Sequence, residues 1–422
     1  MKSRMSRILC VAFAAMLAIC GLAACGDKND NGGKQSVLPA VDREKWAFGL
    51  DEIASDTYLG GETGATSEWC ASMAGAMGAK SQRIWMSLPD LLERAENSNA
   101  LTLNKAACDA YHKYFRLLKD AGVERLVSMH ASFLYPYGFV NITKQVTVGL
   151  HPKEDVEFYA DWIQMYYDAY YLLAKEFPEI GFWECGNEFD MYNYFHKNDG
   201  TAFSAEDAAW IVADLCYAAN KAVKAVNPSN AVVLPGLSSE YSSHTFLQCM
   251  YEAIESATLP TIERYAVTDP DSYFDILAWH PYGRGIPENF RTYCLELRDI
   301  AVAHGDAEKR VWITEMGISE AWKRSEDTDA QTAVSNSMRE ILTIFRDELT
   351  FVETFFVFRL TSGYSYTFSD QEDNFGIFYS PDDPVNRGKP KPVALTVFRF
   401  FNGDGADTSP LYSYSKKFGI TA

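Results

Sequence analysis

The chain is poor in histidine, with seven in 422 residues, and none of them forms a His-x-His or His-Glu-x-x-His pair. Zinc-hydrolase chemistry, which needs closely spaced imidazoles, is therefore disfavoured. None of the nine cysteines makes a Cys-x-x-Cys pair, which removes the usual signature of a thiolate metal site. No G-x-G-x-x-G or Walker-type loop is present, so nothing marks a dinucleotide or nucleotide phosphate cradle, and no cofactor is implied. Gly236-Leu-Ser238-Ser239 is not a nucleophile elbow, which argues against an esterase of the α/β-hydrolase type. Basic side chains are outnumbered 38 to 57, giving a formal charge of −19. A surface this acidic repels nucleic acid and other polyanions. The chain has one long apolar run, Ile8 to Ala24, preceded by Lys2, Arg4 and Arg7. That is the layout of a secretory signal, too short and wrongly flanked for an ordinary membrane-spanning helix.

The run closes in Leu22-Ala-Ala-Cys25-Gly26, which resembles the lipobox of bacterial lipoproteins. The resemblance implies cleavage before Cys25 and acylation of that cysteine, hence a membrane anchor at the new N-terminus. Removing residues 1–24 takes away three basic residues and no acids, leaving 35 against 57 and a charge of −22. Residues 25–40, rich in Asp, Asn, Gly and Lys, read as a flexible tether. The six cysteines beyond it are Cys70, Cys108, Cys185, Cys216, Cys249 and Cys294. Most fall in helical patterns, and they read as buried free thiols rather than a disulfide framework, although export would permit oxidation.

From Trp46 onward, apolar runs alternate with helical periodicity. Strands are expected at 46–50, 81–86, 124–130, 180–188, 231–235, 274–282, 311–315 and 354–359. Helices are expected at 67–77, 104–118, 155–177, 204–226, 242–256, 289–304, 329–349 and 391–401, with Ser67 and Ser204 as N-caps and Gly78 as a stop. The strand bodies are nearly continuous apolar runs, as in a parallel sheet buried on both faces. The fold expected is an α/β (β/α)8 TIM barrel as one catalytic domain over 41–405, with a tail at 406–422. Polar residues gather at the C-terminal tips of strands two, three, four, six and seven, the rim where such a barrel builds its site.

Two tips end in glutamate: Trp183-Glu-Cys-Gly-Asn187-Glu188 and Trp312-Ile-Thr-Glu315. Breaking a glycosidic bond needs one carboxyl to protonate the leaving oxygen and a second to attack or stabilise the anomeric carbon. Glu188 is expected as acid/base and Glu315 as nucleophile. A spacing of about 5–5.5 Å would make the enzyme retaining, and the ionised partner would hold the acid protonated. Arg83 on strand two is a cation to keep Glu315 ionised, and Tyr282 is a hydrogen-bond donor to the same carboxylate.

These tips resemble those of the clan A glycoside hydrolases, a large set of retaining barrels. The resemblance rests on Asn187-Glu188 ending strand four, Glu315 ending strand seven, Arg83 in Gln-Arg-Ile-Trp, His280-Pro-Tyr282 after strand six, and His130 after strand three. It covers roughly residues 46 to 401, and it implies that Asn187 binds the hydroxyl beside the reacting carbon. One departure is Phe358-Arg359-Leu360 where many members carry a tryptophan; Arg359 there would either read an acidic sugar or pair with a neighbouring carboxylate. Tyr135, Tyr137, Phe139, Tyr192, Tyr194, Trp322, Tyr364 and Tyr366 fall in loops at the rim, where rings suit stacking on sugar faces. The expectation is a monomeric, lipid-anchored retaining glycosidase at the cell surface, acting on external poly- or oligosaccharide. The alternative is a catalytically silent glycan-binding lipoprotein on the same barrel.

Overall fold

The computed structural model describes residues 47–51, 65–94, 100–130, 132–135, 138–141, 146–147, 156–191, 195–196, 203–239, 243–256, 267–324, 329–362 and 371–420. The leader, Cys25, the tether, the glycine-rich stretch around Gly60 and most of the aromatic loop residues lie outside the described set.

Eight parallel strands run in chain order: β1 Ala47–Asp51, β2 Ser81–Trp85, β3 Arg125–Met129, β4 Phe182–Glu184, β5 Ala231–Val233, β6 Ile276–His280, β7 Arg310–Met316 and β8 Val352–Phe358. Each pairs with its sequence neighbour, β1 pairs with β8, and Val233 opposite Ile276 joins β5 to β6. The sheet thus closes on itself and leaves no edge. A short extension, Leu237–Ser238, continues the β5 side along β6. Among the described residues, eight long helices cover the outside: α1 Ser67–Met77, α2 Lys105–Asp120, α3 Val156–Glu176, α4 Ala205–Val226, α5 Ser243–Glu255, α6 Pro287–Ala303, α7 Ala330–Asp347 and α8 Pro392–Asn402.

The expected helix starts hold to within two residues, and the differences in detail have local causes. Ser67 is not the cap of α1: Thr66 takes that place, its hydroxyl accepting from Trp69 N–H at 3.2 Å, while Gly78 closes the helix in the left-handed region. Ser204 caps α4 as expected, accepting from Asp207 N–H at 3.1 Å. Helix α6 starts earlier than its periodicity suggests because Pro287 stands at its first turn, where a missing N–H costs nothing.

Two apolar layers result. Within the barrel, Val127, Ala231, Val233, Ile276, Ala278, Trp312 and Phe356 fill the lower part. Outside it, strand residues such as Trp183, Trp279 and Ile313 pack against the helices. All six described cysteines are unbridged, five of them buried. The stretch from 406 onward is not loose: Leu411 and Tyr412 are buried, and Tyr414 meets the Trp69 ring edge-on at 6.2 Å.

Candidate active site

Strand alternation aims Phe182 and Glu184 into the barrel and Trp183 outward, so the last residue of β4 delivers a carboxylate to the interior. Past Cys185 the chain leaves strand geometry. Asn187 bridges Gly236, Glu188 N–H donates to Gly236 O at 2.9 Å, and Glu188 sits in the left-handed region at φ 51°. A side chain in that conformation is strained by about 1–2 kcal/mol, and the ties to Gly236 hold it there.

Arg83, wholly buried, is the hub of the charge cluster. Its Nε and Nη2 donate to Glu184 at 2.5 and 3.0 Å, and Nη2 also donates to Asn187 Oδ1 at 2.7 Å. Its Nη1 donates to Glu315 Oε1, while Tyr282 Oη donates to Glu315 Oε2 at 2.6 Å. Burial alone would push the Glu315 carboxyl up; His280, Arg83 and the Tyr282 hydroxyl together outweigh it and hold the group below the usual carboxylate range. Because guanidinium only donates, the contact fixes the Asn187 oxygen toward Arg83 and turns its amide N–H groups elsewhere.

His280, buried at the tip of β6, joins the two glutamates. Its Nδ1 lies 2.9 Å from Glu188 Oε1 and 3.6 Å from Glu315 Oε2, and its Nε2 lies 3.0 Å from Thr314 Oγ1. Burial lowers its pKa, with Glu315 opposing and Arg83 adding to the effect. One oxygen each of Glu188 and Glu315 and one His280 nitrogen lie within 4.8 Å of one another. Glu188 is the more open of the two acids, its side chain 18% exposed against 8% for Glu315. These three are also the only group among the described residues near enough to share a metal ion. Arg83 and Tyr282 already present hydrogens to both Glu315 oxygens, which suits a compensated carboxylate rather than an ion's ligand.

Residues 185–374, which carry both glutamates, match the family model of the glycosyl hydrolase catalytic core. Over that stretch the chain resembles a glycosyl hydrolase core. Solved structures with the same fold include an exo-β-1,4-mannosidase from an Opitutaceae bacterium (13% identity, TM-score 0.56, 84% of this chain and 59% of the mannosidase). A family 39 glycoside hydrolase from Bacteroides cellulosilyticus matches over 86% of this chain and 65% of its own (13% identity, TM-score 0.55). The family 1 β-glucosidase from Thermotoga maritima is covered over 99% of its length, with 86% of this chain, at 13% identity and TM-score 0.55. The chain thus spans less than two thirds of the first two. No curated protein matches it by sequence.

At the mouth of the barrel, Arg83, Asn187, Glu188, His280, Tyr282 and Glu315 come together as one cluster. Trp322 stands at its margin, edge-on to Tyr282 at 6.4 Å and to Phe375 at 5.0 Å, with Nε1 donating to Gln371 at 3.1 Å. Two residues expected to bind substrate do not join the cluster. His130 is buried on the helix side of the sheet, stacked on Trp183 at an interplanar angle of 1° and edge-on to Tyr170. Burial pushes its pKa down to about 3; the Met86 backbone opposes that shift without completing a hydrogen bond. It is a core histidine. Arg359 turns along its own loop, Nε donating to Thr361 O at 2.9 Å, and its charge is felt by Lys391.

Glu184 and Gly236 had no role in the sequence reading. Glu184 was visible as a lone carboxylate inside an apolar strand, two residues from Phe182 and so on the same face. Gly236 was not distinguishable: a β-carbon there would stand 2.0 Å from His280 Nε2, a constraint that only the folded chain reveals.

Proposed function

We propose that the protein is a retaining glycosidase in which Glu315 attacks the anomeric carbon and Glu188 supplies and later removes the proton. The observation that carries this reading is the proximity of the Glu188 and Glu315 oxygens, within 4.8 Å, with Arg83 and Tyr282 both donating to Glu315. That spacing leaves no room for the water an inverting enzyme places between its carboxyls, about 6.5–9.5 Å apart. The two acids also have opposed surroundings, which is how one site holds a base and an acid at the same pH. The Arg83 cation and the Tyr282 hydroxyl, each donating to one oxygen, keep Glu315 ionised and nucleophilic. Glu188 faces the His280 imidazole. Donation from His280 Nδ1 to Glu188 Oε1, with Nε2 accepting from the Thr314 hydroxyl, leaves the other Glu188 oxygen to carry the proton to the leaving group. Arg83 carries one positive charge against Glu184 and Glu315, so the pocket floor is net negative where an oxocarbenium-like transition state is positive. Asn187, its oxygen fixed by Arg83, directs amide N–H groups to the sugar hydroxyl beside the reacting carbon.

The substrate is external poly- or oligosaccharide, and the enzyme works as a monomer tethered through an acylated Cys25; the leader and lipobox-like pattern support that setting. The test is turnover on a panel of polysaccharides and aryl glycosides beside Glu315→Ala and Glu188→Ala. Glu315→Ala abolishes turnover. Glu188→Ala slows substrates with poor leaving groups far more than activated aryl glycosides, because only the former need the proton. Equal losses on both substrate types would remove Glu188 from the acid/base role. Glycan binding without turnover by both wild type and Glu315→Ala would make the protein a binding lipoprotein instead.

A further inference from the structure

Asp190 lies two residues past Glu188, is fully buried, and touches none of the groups given a role above. Its Oδ1 accepts from Ser238 N–H at 3.0 Å, and its Oδ2 lies 2.6 Å from Ser243 Oγ. The same Ser243 Oγ is in hydrogen-bond contact with the Ser238 carbonyl, which also receives the Tyr293 hydroxyl at 3.0 Å. A serine hydroxyl has one hydrogen. With Asp190 ionised, its Oδ2 and the Ser238 carbonyl would both be acceptors facing that single hydrogen, and one close oxygen pair would have none between its atoms. A proton on Asp190 Oδ2 removes the conflict. Asp190 then donates to Ser243, Ser243 donates to the Ser238 carbonyl, and Ser238 N–H donates back to Asp190.

This ring is the last of three successive ties between the exits of β4 and β5: Asn187 to Gly236, Glu188 N–H to Gly236 O, and Asp190 to Ser238. We propose that Asp190 keeps its proton in the working enzyme and, through the ring with Ser238 and Ser243, positions the turn that carries Glu188. It is a positioning residue, and the inference rests on Glu188 being the acid/base. The surroundings act in the same direction. Burial pushes the Asp190 carboxyl up to about 7, with Ser238 and Ser243 opposing, Glu188 adding and His280 opposing. The ionisable groups facing it are Glu188 on its own turn, His280 on β6 and Tyr293 on α6, whose own pKa burial and Asp190 raise.

Asparagine is the neutral mimic of the protonated carboxyl, able to accept from Ser238 and donate to Ser243; leucine fills the volume and does neither. Asp190→Asn is expected to keep kcat within about threefold of wild type below about pH 6, whereas Asp190→Leu loses on the order of a hundredfold in kcat with KM little changed. A loss in Asp190→Asn as deep as in Asp190→Leu would overturn the proposal, since the ionised carboxylate would then be what the turn requires. A second readout needs no turnover: carbon NMR of labelled aspartate carboxyls across pH, with the Asp190 signal identified by its absence in Asp190→Asn. A carboxyl titrating near neutrality is expected. A midpoint in the ordinary carboxylate range overturns the proposal whatever the activity. If wild type cleaves nothing but the signal titrates near neutrality, the glycosidase reading fails and the proton on Asp190 stands.

Discussion

Arg83 shows how one buried residue sets the character of its neighbours. It meets Glu184 through two nitrogens, Glu315 through a third, and the Asn187 amide as well. Removing it would strand two carboxylates in a low-dielectric interior, where an unpaired charge costs about 3–5 kcal/mol. His130 is the opposite case, a titratable residue that the fold keeps neutral and out of the chemistry. Its pKa in the folded chain, about 3, lies below the ordinary value of 6.5. The unfolded chain therefore gains a proton as pH falls through 6.5 while the folded chain does not, and stability drains across the interval between the two values. The slope is about 1.4 kcal/mol per pH unit from this one group. His130→Phe, which keeps a flat ring against Trp183, should lack that component. Chemical denaturation of both proteins at neutral pH and about two units lower should show the variant gaining on wild type by roughly 2 kcal/mol. A difference that stays constant with pH would mean that His130 is not neutral in the fold.

At the scale of elements, the strand order and the tips were legible because apolar strand bodies, helical periodicity and a terminal polar residue are properties of the chain itself. What was not legible is how each tip aims its carboxylate. Along β7, simple alternation would send Thr314 inward with Trp312 and Glu315 outward with Ile313. The pairing with β8 slips between Ile313 and Met316, and both Thr314 and Glu315 reach the mouth, one on His280 and the other on Arg83 and Tyr282. Irregularities of this kind re-aim side chains next to active sites, and no residue type announces them. The left-handed turn at Glu188 is equally silent in sequence, since glutamate has no preference for it. His130 was misplaced for a related reason: a polar residue at a strand tip reads alike whether it faces the mouth or the helices. The ends of β5 and β6 depend on each other most directly, through Gly236 lying under the His280 ring. Gly236→Ala should displace that imidazole from Glu188 and Thr314 and lower kcat by about a hundredfold while the protein stays folded. Wild-type kinetics in this variant would show that His280 does not need its observed position.

For the whole molecule, the barrel separates a layer that holds the fold from a layer that does the chemistry. The lower interior is apolar, centred on Trp312, which meets Phe182 at 4.9 Å and Phe356 at 5.8 Å and donates from its indole to Glu353 at 2.9 Å. The upper interior holds Arg83, Glu184, His280 and Glu315, a concentration of buried charge that contributes little net stability and depends on the layer beneath for rigidity. Trp312→Ala therefore separates the two roles. Truncating a buried tryptophan costs about 3–5 kcal/mol, a large share of the roughly 5–15 kcal/mol that folded domains possess. The shift should appear as a lower denaturation midpoint, with the pH profile of the remaining folded enzyme unchanged because no titrating member of the cluster has lost a contact. A profile that moves together with the midpoint would mean that the apolar floor sets the ionisation of the acids above it, and the two layers would have to be treated as one.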